Sequence, residues 1–402
     1  MNRRSFILSA STAASSVIAG SVATAYAANE TINIACIGTG GRCRHLMKSL
    51  AKVEKVRIGA LCDVWAVALD EAKKLADPKA LASKNFRETL ALKDVDAVLI
   101  GSPDHWHVPL TVAACEAGKH VYVEKPLTHD LSEGRAVIDA QNNHKRIVQV
   151  GMQQRSMPHL IKAKELIKAG RIGKVVKVHM TWNRNTNRVK RFPLGVDSKA
   201  VDWTMFLGSA PKQEFDEYRF RNWRWFWDFG GGIFTDLMVH WIDVAHWVLG
   251  VDHPLKAVSL GEEVNSKDVW QTPDSVQTIL SYPDQLQMYF EGTFSNARNG
   301  AMIEFMGSEA TLQADRGGYV IYPEWNKKGE QEEFILGKNP TRRGADFYDE
   351  PDGELLHLTD WVNSMRTGKK PSAPAEAGVG SAAAAHLANQ AMRGNGVAVW
   401  KD

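Results

Sequence analysis

Asp236, His240, Asp243 and Trp247 recur at i, i+4, i+7 and i+11. On a helix that spacing predicts one shared face. A histidine on such a face can take or give a proton near neutral pH, because its ordinary pKa lies close to it. The competing reading is a core histidine satisfied by a backbone carbonyl. Gly230, Gly231 and Gly232 stand just ahead and let the chain approach a ligand closely. Together with the i+4 partner Asp236 they favour proton transfer. His246 points off this face and is read as structural. A second unusual group is Glu124-Lys125-Pro126, at the end of an apolar run where surface decoration does not explain a lysine. An alcohol is too weak an acid to lose its proton unaided. A base beside a hydride acceptor is therefore what oxidation of a carbinol requires.

A site for such an acceptor is legible upstream. The apolar run INIACI leads directly into Gly38-Thr39-Gly40-Gly41-Arg42-Cys43 and then a helical stretch. Glycines there let backbone approach a pyrophosphate whose charge sits at the helix N-terminus. Cys43 stands where the strict pattern has a third glycine; it is small enough for helix–strand packing but departs from the pattern. The next strand ends in Cys62-Asp63, where a carboxylate can bond ribose hydroxyls and repel a 2′-phosphate, favouring NAD over NADP. The segments Ser102-Pro103-Asp104-His105-Trp106-His107 and Glu124-Lys125-Pro126 follow later strands of the same unit. Ligands of open α/β sheets bind at the carboxyl ends of the strands, so both segments are expected to face the cofactor.

The elements that must position these groups fall into two units, as a 402-residue chain leads one to expect. From residue 31 to 151, short continuous apolar strands alternate with helices, which predicts a doubly wound parallel sheet covered on both faces. After Gly151 an amphipathic helix, HLIKAKELIKAG, leads into strands of alternating polarity. These predict an α/β domain, residues 152–353, with a large, mostly antiparallel open sheet, one face exposed or used for association. Residues 354–402 read as helices and a tail packing back near the first domain, with Leu355, Leu358, Val362 and Met365 at core spacing and an alanine-rich helix from Ala382 to Met392. The loops near Asn183–Lys199 and Leu336–Gly353 are long enough to mark binding function. In the first, the stretch Arg184–Arg191 with Arg188 and Lys190 could recognise an acidic substituent, but is read as a solvated loop.

Composition excludes more than it assigns. A net charge of +3 spread over the chain gives no basic stripe for nucleic acid. Eight of the thirteen tryptophans lie between Trp182 and Trp270; indoles suit sugar faces, but core filling is the better reading of any one of them. Arg3-Arg4 with Phe6, an apolar run and Ala25-Tyr26-Ala27 look like a twin-arginine signal cleaved after about Ala27. This places the mature protein in the periplasm or otherwise outside, without stable membrane insertion. Cys36, Cys43, Cys62 and Cys115 match no zinc spacing and are read as free structural thiols; no metal is expected.

GTGGR, SPDHWHVPL, AGKHVYVEKPL, VGMQQRS, AGRIGKV, RNWRWFWDFGGGIFTDLMVHWIDVAHW and RTGKKPSAPAEAG, in this order, resemble the Gfo/Idh/MocA oxidoreductase family over essentially the whole mature chain, in its twin-arginine-exported branch. The resemblance implies a Rossmann domain followed by an α/β domain that commonly forms homodimers or homotetramers. It implies NAD bound by Gly38, Gly40, Gly41, Arg42, Asp63, Ser102, Pro103, His107, Glu124, Lys125 and Gln153. Carried over, Lys125 assists proton transfer and polarises the reacting oxygen, His240 is the general acid/base, and Asp236 holds a substrate hydroxyl. Arg155, Trp182, Asn183 and Arg224 are further substrate contacts, and Asp243 is open between substrate binding and a structural role. The substrate class is a sugar, glycoside or cyclitol. Export implies a tightly held cofactor recycled within each turnover, either in dehydrogenation or in redox-neutral glycoside cleavage. A non-catalytic sugar-binding protein is a third reading, against which the retention of Lys125, Asp236 and His240 argues.

Overall fold

The structure is a computed structural model that describes residues 30–186, 189–335 and 352–401. The signal-like segment 1–27, Arg188 and most of the second long loop lie outside the described residues.

Strands β1 (Ile32–Ile37), β2 (Val56–Cys62), β3 (Leu81–Ser83), β4 (Ala97–Ile100), β5 (His120–Val123) and β6 (Val148–Val150) form a sheet in the order β3-β2-β1-β4-β5-β6. Every pairing is parallel. β1, β4 and β5 are buried at each residue, as helices on both faces demand of continuous apolar strands. Strand order reverses between β1 and β4. The crevice that opens beyond the carboxyl ends of that pair is the ligand position of this topology.

The second sheet has nine strands: β7 (Val175–Asn183), β8 (Lys256–Glu262), β9 (Ser275–Ser281), β10 (Gln287–Thr293), β11 (Ala301–Gly307), β12 (Ala310–Asp315), β13 (Gly318–Pro323), β14 (Glu332–Ile335) and β15 (Val397–Val399). Its order is β14-β13-β12-β11-β7-β10-β9-β8-β15, antiparallel except where β7 and β10 run together. β9 alternates buried and exposed residues, so this sheet has one covered face. The helices Val239–Leu249 and Ala375–Arg393 pack on the covered side. The latter begins seven residues before the predicted start, directly after Pro374, and its glycines lie in tight packing: a Cβ on Gly378 would stand 2.7 Å from Val150.

A helix that follows β14 packs on the first domain. In the helix Gly353–Thr367, Asp352 caps the first turn by accepting from Glu354 N and Leu355 N, and Gly368 ends it at φ 68°. Its Leu358, Trp361, Val362 and Met365 are buried with Ile32, Ile34 and Leu46 in one core. All four cysteines are free and buried. Among the described residues no helix is long and apolar enough to cross a membrane, and no side-chain cluster could hold a metal.

Candidate active site

At the end of β1 the chain turns at Gly38 with φ 77°, and a Cβ there would stand 2.5 Å from Ser102 N on the neighbouring strand end. Only glycine fits. Gly40 caps the helix Gly41–Leu50 with no side-chain hydrogen bond, leaving the first amides open, and space beside Gly40 and Gly41 is empty to 4 Å. Cys43 takes the place of the missing third glycine in helix–strand packing, because a Cβ on Gly101 would lie 2.8 Å from that of Cys43. Asp63 accepts from Trp65 N at 2.8 Å and Thr39 Oγ1 at 3.2 Å. Burial pushes its carboxyl up to about 6 against those bonds, so it is ionised at neutral pH. Ser102 Oγ is buried with no partner among the described residues. Asp63, Ser102, Pro103 and the glycines line a cavity of about 340 Å³. A narrow glycine turn, open helix amides, an acceptor at the β2 end and an orphaned hydroxyl fit an adenine dinucleotide.

A second cavity of about 800 Å³ adjoins the first, sharing Arg42, Ser102 and Arg224 as walls. Three segments converge on it. β5 delivers Glu124 and Lys125, the latter ahead of a cis peptide to Pro126. Residues Phe234–Met238 form a π-helical turn that runs into the helix Val239–Leu249, and this junction presents Asp236 and His240. β7 contributes Trp182, whose ring stacks on His240 with centroids 5.0 Å apart.

Lys125 Nζ donates to Asp236 Oδ1 at 2.9 Å and to the Asp236 carbonyl at 2.8 Å, and Arg224 Nε donates to the same Oδ1 at 3.1 Å. Burial opposes ionisation of Asp236, but Lys125 and Arg224 outweigh it and hold the carboxyl well below its usual range. His240 is driven the other way. Burial first, then Lys125 and Arg316, lower it well below 6.5, with Asp236 opposing. A neutral imidazole thus stands beside a fixed ammonium.

Other predicted residues line the same cavity and brace one another. Glu124 accepts from Arg42 Nε at 2.8 Å and Gln153 Nε2 at 3.2 Å, and Arg42 continues to Glu354 at 2.5 Å. Arg42 therefore braces Glu124 more than it reaches for a pyrophosphate. His107 packs between the carbonyls of Ser102 (2.9 Å) and Pro126 (2.6 Å) at the cavity edge, and burial lowers it to about 4, so the neutral ring donates to one of them.

Arg155 and Asn183, expected at the substrate, lie away from the cavity, and Asp243, left open between two roles, is placed with Arg155. Arg155 donates to both oxygens of Asp243 at 2.8 Å, side chains 9% and 1% exposed, and neither lines the cavity. The pair fastens the turn Gln153–Ser156 to the helix Val239–Leu249. The four-residue face fails because the π-turn changes the local period, and Asp243 lies ~10 Å along the axis from Asp236. Asn183 misses for a simpler reason. Strand alternation turns Trp182 inward and Asn183 outward, toward the Arg298 carbonyl at 2.8 Å. His246, by contrast, is structural as read, 2.6 Å from the Tyr282 hydroxyl.

Sequence reasoning missed Arg316, which lines the cavity from the turn between β12 and β13 with its guanidinium 5.5 Å from the Trp182 ring. No local signal marks it, since only the sheet order brings that turn beside β7. Arg221 and Trp223, to which the sequence assigned no role, also line both cavities.

Comparison with known proteins matches residues 32–152 to a family described as an oxidoreductase family, NAD-binding Rossmann fold, and residues 164–399 to that family's C-terminal alpha/beta domain. An inositol 2-dehydrogenase of Salmonella paratyphi B is 33% identical over 214 residues, 52% of each chain. The match thus spans about half the length of such curated relatives. Among solved structures, a levoglucosan dehydrogenase in complex with NADH and levoglucosan superposes with TM-score 0.71 at 17% identity, covering 92% of this chain and 99% of the other. A myo-inositol 2-dehydrogenase from Lactobacillus plantarum gives 0.69 at 20%, covering 92% and 100%. At those identities the structures speak for the fold.

Proposed function

The chain belongs to the Gfo/Idh/MocA oxidoreductase family, with an NAD-binding Rossmann domain, and from that membership we propose that it oxidises a hydroxyl of a sugar, glycoside or cyclitol. The observation that carries this reading is the convergence of Lys125, Asp236 and His240 in one cavity that shares its Ser102 wall with the dinucleotide crevice. Bound NAD supplies the hydride acceptor. The protein supplies the rest. His240, neutral by virtue of its surroundings, takes the hydroxyl proton through its imidazole. Lys125 donates a hydrogen bond to the same oxygen and stabilises the negative charge that develops there. Asp236 and Arg224 fix the lysine so that it does not reorganise during the reaction, and Trp182 backs the imidazole. A positioned base of this kind contributes ~10²–10⁴-fold.

Export through the twin-arginine route is part of the proposal and rests on Arg3-Arg4 and the apolar run behind them. That route carries folded proteins, so NAD would be loaded beforehand and retained. Homo-oligomer formation is supported by the outer face of the nine-stranded sheet, where Val258, Leu260, Ile279 and Val399 are 42–64% exposed. Redox-neutral glycoside cleavage is not favoured, because the curated relative at 33% identity over 214 residues is an inositol 2-dehydrogenase. Denaturing the purified mature protein and identifying released dinucleotide by mass spectrometry tests the cofactor part. NAD is the expected product. An intact fold that carries none and does not take up added NAD would overturn it. Incubation with a glycoside panel then separates the chemistries: net oxidation leaves reduced nicotinamide, whereas cleavage returns the absorbance to its start.

A further inference from the structure

We propose that the segment from Val201 to Arg221 of the second domain is a strap across the adenosine half of the dinucleotide crevice, with Phe220 and Arg221 as its contacts to bound NAD. The inference rests on the oxidoreductase reading and names what keeps its cofactor in place. The strap carries two short helices, Trp203–Leu207 and Glu217–Arg221, each capped by an aspartate. Asp202 accepts from Met205 N at 2.9 Å and Asp216 from Tyr218 N at 2.8 Å. Helices of one turn do not stand on their own. Their support is the first domain. Val201 forms an antiparallel bridge with Trp65, and Asp202 N donates to the Val64 carbonyl at 2.8 Å. The first helix ends at Gly208, where φ is 58° and a Cβ would stand 2.7 Å from the Trp106 ring. Beside that turn the Phe206 carbonyl accepts from Trp106 Nε1 at 2.9 Å and from His105 Nε2 at 2.8 Å.

This seam runs along the crevice. Met205, Phe206, Phe220 and Arg221 line the same cavity as Asp63 and Trp65. Asp63 ends β2 as the ribose acceptor, so the adenosine half of a dinucleotide belongs beside Trp65. Phe220 meets the Trp65 ring edge-on with centroids 5.6 Å apart, and the Arg221 guanidinium lies over that ring at 4.8 Å. A planar guanidinium held in this way offers a stacking surface to a purine. Trp65 Nε1 is buried with no partner among the described residues, a donor that a purine nitrogen satisfies. The adenosine side of the crevice is therefore closed by a segment hydrogen-bonded to the strand ends that hold the ligand. Release of the cofactor requires that segment to lift from Val64, Trp65, His105 and Trp106.

The test follows release from the full chain loaded with NADH, by the loss of its fluorescence on mixing with excess NAD. Phe220→Leu and Arg221→Gln are each expected to release NADH at least ~10-fold faster than wild type. Trp106→Phe, which removes one donor to the Phe206 carbonyl, gives the same reading if Phe220→Leu does not fold. In competition with NADH, 5′-AMP is expected to weaken by a similar factor in Arg221→Gln, whereas nicotinamide mononucleotide, which lacks the adenosine half, competes as it does in wild type. Release as fast from wild type as from the variants overturns the proposal. So does equal weakening of both half-molecules, which marks a general disturbance, or a wild type in which 5′-AMP does not compete. The two readings fail separately. Slow, strap-dependent release from a protein that oxidises no polyol would sink the oxidoreductase reading and leave the strap standing; polyol oxidation with release indifferent to these substitutions does the reverse.

Discussion

His240 and Lys125 line one cavity with opposite charge preferences, and under the proposed chemistry that opposition sets the pH behaviour. Burial, Lys125 and Arg316 all disfavour the imidazolium, while Asp236 is the counterweight. A lowered pKa means that the base stays available as pH falls through 6.5. The acid limb of kcat/KM for alcohol oxidation is therefore expected below the value of a free imidazole, in a pH–rate profile on NAD-saturated enzyme. A limb at or above 6.5 contradicts the environment described. At this scale much was legible. Lys125, Asp236 and His240 declared themselves through residue type, strand-end position and i, i+4 spacing. Asp243 misled because spacing records angle on an ideal helix and says nothing of how far along the axis the cavity extends. Arg316 left no local mark at all.

At the scale of elements, the doubly wound parallel sheet and the mostly antiparallel second sheet could be read from apolar periodicity, since buried parallel strands and half-exposed strands leave distinct patterns. The π-turn at Phe234–Met238 could not, because its residues satisfy an α-helical pattern equally well. The Arg155–Asp243 pair is where this matters for experiment. It joins the turn Gln153–Ser156, which also places Gln153 against Glu124, to the helix carrying His240. Removing one partner strands a buried charge and costs ~3–5 kcal/mol. Arg155→Met is expected to lower the denaturation midpoint accordingly. KM should change far less than it would on loss of a direct substrate contact. A stable variant with a large rise in KM would restore Arg155 to the substrate site.

For the whole molecule, buried neutral histidines dominate the acid side of stability. Burial lowers His105, His107, His120, His159, His357 and His386 to about 4, and His246 to about 3. Unfolded, each takes a proton near 6.5, so the unfolded state binds more protons and stability falls as pH drops below that value, by ~1.4 kcal/mol per pH unit for each group. Asp63, Asp104, Asp243 and Glu354, raised by burial, act in the opposite direction as pH falls, but they are fewer. Denaturant midpoints should decline steadily from pH 7 to pH 5; a flat profile would mean that these imidazoles are solvated. The crevice and the second cavity share Arg42, Ser102 and Arg224 as a wall. That shared wall is tested most directly by adding candidate polyols and sugar acids to NAD-loaded protein and following nicotinamide reduction in wild type and His240→Gln. Reduction by the wild type, with the variant binding NAD equally well but turning over ~10²–10⁴-fold more slowly, is the predicted result; undiminished turnover in the variant would contradict it.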